Sequence, residues 1–92
     1  MAIVDIRGLS KPAVLAALCN ATSSLGMGRL EDKGPVSEKD AEAVLERSSY
    51  VDYCCGRPIK ADFAGDQFES WGYDRDAGQG AAERVVEKLR RA

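Results

Sequence analysis

Every aromatic residue of the chain lies in one stretch of 24 residues: Tyr50, Tyr53, Phe63, Phe68, Trp71 and Tyr73. Rings carry the largest apolar payload available to a small core. The plain consequence is a core built beneath the C-terminal helix, and Phe63 and Phe68 are assigned to it. Trp71 and Tyr73 stand beside Ser70, Gly72 and charged neighbours, where a rigid ring with a polar handle serves as a core residue or as a contact anchor. With 92 residues in all, a second domain would leave each half too small for its own core, so residues 1–92 are read as one domain. Alanines make up 13 of the apolar residues, which leaves large side chains for a single core.

Charge and composition then remove whole classes of chemistry. The 13 Lys and Arg against 15 Asp and Glu give a net charge of −2, so no whole-molecule attraction to nucleic acid is written into the chain. There is no histidine. That removes Ser-His-Asp and Cys-His sets, imidazole acid–base chemistry and histidine-ligated metals together. The opening Met1-Ala2-Ile3-Val4-Asp5 lacks the basic region of a signal peptide, and Asp5 interrupts its apolar run. A cytoplasmic protein with no membrane association is expected. Cys19, Cys54 and Cys55 are odd in number and form no CxxC, so they are expected to be reduced, with Cys19 a small core residue on a helix. Three cysteines without histidine make a poor zinc set.

The order of elements is legible in outline. Ile3, Val4 and Ile6 read as a strand ending at Gly8. Ser10 then caps a helix with Pro12 in its first turn, where a missing N–H costs nothing. Val14, Leu15, Leu18 and Cys19 give that helix one apolar face, and it should stop near Asn20 to Thr22. A turn over residues 23–28 leads to a short strand at Arg29-Leu30. Ser37 caps a second helix whose buried face is Ala41, Val44 and Leu45 and which ends near Ser48. Asp52 to Cys55 reads as a turn or short helix, and Ile59 to Phe63 as a strand with Lys60 and Asp62 outward. The third helix, Ala81 to Arg91, buries Ala82, Val85, Val86 and Leu89, and sets Glu87 against Arg91 at i, i+4. Three helices and a sheet of two or three strands make an α+β domain.

Five acids, Asp62, Asp66, Glu69, Asp74 and Asp76, surround one base, Arg75, within 15 residues. A solvated loop accounts for them, and so does an acidic, aromatic-studded patch that docks on a basic surface and gains on-rate and register from charge. The docking set is Asp66, Glu69, Trp71, Tyr73, Asp74 and Asp76. An alternative set, Tyr53, Arg57, Lys60, Tyr73 and Arg75, could clamp a nucleotide by stacking and charge. Asp74-x-Asp76-x-Gly78 starts like a calcium loop but places Gln79 and Val85 where that loop needs Gly and Glu. Gly78-Gln79-Gly80 is better read as a helix start than as a phosphate cradle. No catalytic set, cofactor or metal is expected.

Two stretches carry a resemblance. Gly8-Leu9-Ser10-Lys11, Val14 to Leu18, Asn20 and Gly26-Met27-Gly28 form the first. Asp52-Tyr53, Gly56-Arg57, Ile59-Lys60-Ala61-Asp62, Gly65-Asp66, Tyr73-Asp74-Arg75-Asp76, Gly78 and Gly80-Ala81-Ala82 form the second. Together they resemble small proteins of phages and other mobile elements, although Cys54-Cys55 stands where such proteins usually carry aliphatic or basic residues. The resemblance implies a protein that binds and blocks host machinery, as anti-CRISPR and other anti-defence proteins do. The expected partner is a host protein or ribonucleoprotein defence complex in the bacterial cytoplasm, without direct nucleic-acid binding. A structural or regulatory interaction subunit is a further alternative, and a chain this short gains stability by forming a homodimer.

Overall fold

The chain starts with a three-residue strand, β1 (Ile3–Asp5), and Ser10 then opens helix α1 (Lys11–Ala21), its Oγ accepting the Ala13 N–H at 3.2 Å. The structure is a computed structural model that describes residues 3–21, 37–47, 50–51 and 61–92. Ser37 opens α2 (Glu38–Arg47) in the same way, accepting the Asp40 N–H at 3.1 Å. Both caps satisfy N–H groups that have no partner within their own helix. Then come β2 (Tyr50–Val51), β3 (Ala61–Ala64), β4 (Gln67–Glu69), α3 (Trp71–Ala77) and α4 (Ala81–Arg91). The expected turns at 23–28 and 52–55, the strand at Arg29-Leu30, and Ile59 and Lys60 lie outside the described residues.

The α+β class holds, and the described residues contain four helices rather than three. The additional one is α3, in a stretch read as loop. The sheet has the order β1-β4-β3-β2, all pairs antiparallel, with the two-residue β2 at one edge and β1 at the other. The sheet has four strands where two or three were expected, and β2 and β4 are the ones the sequence reading missed. A two-residue loop, Gly65-Asp66, joins β3 to β4, and Gly65 has the left-handed φ of 57° that primed hairpin turns require. Gly-Asp between two alternating runs was the available signal.

Alternation along the strands divides the sheet into two faces. Val4, Phe63 and Phe68 point into the core, and the two phenylalanines stack across β3 and β4 with centroids 5.2 Å apart. On the other face Asp5, Ala64 and Gln67 are exposed, Glu69 is half-buried, and Ile3 is 53% exposed. The helices supply the rest of the core: Val14, Leu15, Leu18 and Cys19 from α1, Ala41 from α2, Tyr73 from α3, and Ala82 and Val86 from α4. Val44, Leu45, Val85 and Leu89 pack against it, half-buried. No helix among the described residues is long and apolar enough to cross a membrane.

The cysteine reading needs correction. Cys19 is buried in the core as expected, but it is disulfide-bonded instead of reduced. Cys54 and Cys55 lie outside the described residues. A disulfide lowers the entropy of the unfolded chain and typically stabilises a fold by about 2–4 kcal/mol. Reduction should therefore lower the unfolding free energy by about 2–4 kcal/mol in chemical denaturation. An unchanged midpoint in excess dithiothreitol would show that the bridge contributes nothing.

Candidate functional site

The acidic, aromatic segment from Asp66 to Asp76 is not a loop; β4 and α3 divide it. The division sends its members in different directions. Asp66 is the second residue of the hairpin turn, with its side chain exposed and its backbone carbonyl accepting the Ile6 N–H at 2.7 Å. Glu69 sits on β4 in register with Ile3 on one side and Asp62 on the other. Trp71 and Asp76 are the first and sixth residues of α3.

Tyr73 is a core residue, 1% exposed, and its hydroxyl donates to the Leu18 carbonyl at 3.0 Å. Leu18 is among the last four residues of α1, whose carbonyls lack partners inside the helix, so the tyrosine satisfies an acceptor that burial would otherwise strand. Tyr73 is thereby removed from both proposed sets, as a docking ring and as a nucleotide-stacking ring. The other aromatic of the nucleotide set, Tyr53, lies outside the described residues, as do Arg57 and Lys60; Arg75 is exposed on α3.

Asp74 also turns inward. Its Oδ1 accepts the Ala82 N–H of α4 at 3.0 Å, and its Oδ2 accepts the hydroxyl of fully buried Ser70 at 3.2 Å. A carboxylate at the positive end of α4 takes up an unpaired N–H and meets the helix dipole favourably. Gly78 and Gly80 make this approach possible: Gly78 ends α3, donating its N–H to the Asp74 carbonyl at 2.8 Å, and Gly80 takes φ 77° as the residue preceding α4. The glycines are a helix start, as the sequence indicated. Of the six docking residues, Asp66 is exposed at the hairpin turn, Glu69 is half-buried on the face of the sheet that carries Ile3, and Tyr73 and Asp74 belong to the fold.

The structure also presents a feature that sequence reasoning did not single out. A groove of about 350 Å³ lies between β1 and α4, lined by Ile3, Val4, Asp5, Glu83, Val86, Glu87 and Arg90. Arg90 closes one end, donating to the Asp5 carbonyl at 2.9 Å and the Arg7 carbonyl at 2.6 Å. Asp5 accepts the Arg7 N–H at 2.9 Å and a two-point contact from the Arg7 guanidinium, and these bonds hold its carboxyl below the usual carboxylate range. Acids at one-turn spacing on α4, Glu83 and Glu87, were the available signal, but only the placement of β1 beside them makes a groove.

Replacing Asp74 separates a structural role from a contact role. Asp74→Ala should cost about 1–2 kcal/mol of stability, as loss of a helix cap does. Asp74→Asn, which keeps an acceptor for Ala82, should recover most of that in the same denaturation experiment. Equal stability of Asp74→Ala and wild type would return Asp74 to the surface.

No protein-family model matches the chain, and no curated protein or solved structure matches it either.

Proposed function

We propose that this chain is a non-enzymatic inhibitor of phage or mobile-element origin that binds and blocks a host defence complex, in the manner of anti-CRISPR proteins. The observation that carries the reading is a face of the sheet that no described element covers. There Ile3 is 53% exposed, Glu69 stands opposite it in register, and Asp66 is exposed at the hairpin turn on the same sheet. Acidic side chains near an accessible apolar residue steer a basic partner, while burial of the apolar group supplies affinity. The proposed class is also the one that the resemblance of the two sequence stretches implies. The partner is a protein or ribonucleoprotein, engaged through its protein surface, since acids repel a phosphate backbone.

The proposed place of action is the bacterial cytoplasm. Thiol buffers there oppose disulfides, so the Cys19 bridge has to be dispensable for inhibition, with the packed core around Cys19 carrying the fold.

The test is capture and inhibition with a neutralised surface. Immobilised protein is exposed to lysate containing a CRISPR effector complex, beside Asp66→Asn/Glu69→Gln, and target cleavage is assayed in parallel under reducing conditions. Wild type should retain a stoichiometric partner and inhibit cleavage, and the double variant, still folded, should bind roughly tenfold more weakly, about 1.4 kcal/mol. Equal inhibition by wild type and variant, or none by wild type, overturns the proposal.

A further inference from the structure

The outer edge of β1 faces no strand among the described residues. In the β1–β4 ladder Ile6 and Asp66 form a hydrogen-bonded pair, and antiparallel pairs alternate, so Val4 and Phe68 form the next one. Ile3 and Asp5 are then the non-bonded pairs of that ladder, and their N–H and C=O groups point away from β4. Arg90 confirms the geometry by reaching the Asp5 carbonyl from that side. It occupies one acceptor and leaves the Ile3 end of the edge facing no strand among the described residues.

The chemistry around this edge selects its occupant. Glu83 and Glu87 line the groove from α4, one helical turn apart, which is about 6 Å along the axis. Residues i and i+2 of an extended peptide are about 6.6–6.8 Å apart on one face, so two basic side chains on that face match the two glutamates. Glu87 holds Arg91 at 3.2 Å, but that pair is largely solvent-exposed and is readily exchanged for another cation. On the opposite face of the added strand an apolar side chain would cover Ile3.

We propose that an extended peptide segment of a protein partner, alternating basic and apolar residues, adds as a strand to the outer edge of β1, its basic side chains paired with Glu83 and Glu87 and an apolar one packed on Ile3. Backbone hydrogen bonds to Ile3 give the attachment, and the α4 acids give its sequence preference. A second copy of this chain fits less well. Edge-to-edge pairing would bring Glu83 and Glu87 of each copy toward the same acids of the other. The inference rests on the reading of the chain as a protein-binding module and names the chemistry of what it binds.

The probe is a fluorescein-labelled, end-capped octapeptide of alternating valine and lysine, followed by fluorescence anisotropy at low salt. Saturable binding is expected, weakened at least roughly tenfold by Glu83→Gln/Glu87→Gln, by glutamate in place of the peptide's lysines, and by methylation of alternate peptide nitrogens in the register that faces β1. Amide chemical shifts should move at Ile3 to Asp5 and along α4. No saturation up to about 1 mM, binding indifferent to N-methylation, or equal binding of the glutamate peptide overturns the inference, as does a dimer in sedimentation that shields the Ile3 edge. Partner capture that depends on Asp66 and Glu69 but is indifferent to Glu83→Gln/Glu87→Gln would sink the groove alone and leave the proposed function standing.

Discussion

The Tyr73 side chain is the tie that the remaining arrangement depends on. It fills the core with its ring and carries its one polar atom to the Leu18 carbonyl at the end of α1. A buried phenol without a partner would cost free energy, and so would an unpaired helix carbonyl; bringing them together removes both penalties at once. With Tyr73 fixed inward, the next residue along α3, Asp74, is placed to accept from the start of α4. The C-terminal helix is thus positioned by α3, and α3 by α1. Acids that look like one cluster in the sequence are separated by this geometry, some held in the fold and some left on the sheet.

Placement of α4 decides how the edge of the sheet is treated. An unpaired strand edge invites association, and proteins commonly blunt one with charge or cover it with another element. Here both devices act on part of β1 only. Arg90 covers the Asp5 end through backbone carbonyls, while the Ile3 end faces a groove bounded by Glu83 and Glu87. The resulting surface is half-protected and presents Glu83 and Glu87, and it adjoins the face of the sheet that carries Ile3 and Glu69. Both are continuous with the same three-residue strand, so a partner that meets one lies close to the other.

Much of the local structure was legible because its causes are local. Ser10 and Ser37 begin helices as their side-chain oxygens allow, and the alternation in β1 and the 3.6-residue period of α1, α2 and α4 put the expected residues in the core or half-buried against it. Phe63 and Phe68 were rightly assigned to it. The segment from Gln67 to Ala77 was misread because charge and glycine there masked a three-residue strand and a seven-residue helix, each too short to show a period. Short elements of this kind are held by pairing and packing more than by propensity.

The sequence by itself determined the class of fold, the principal helices and the absence of imidazole chemistry, since these follow from composition, caps and periodicity along neighbouring residues. Only the tertiary structure decided which acids are available to a partner. Whether Tyr73 is an anchor or a core residue depends on a carbonyl 55 positions away, and whether Glu83 and Glu87 border a groove depends on β1 at the other end of the chain. Cys19 shows the same division: its burial follows from the face of α1, but its oxidation state depends on what the fold brings to it. Contacts between distant segments are set by how whole elements pack, and no local pattern of residues encodes that.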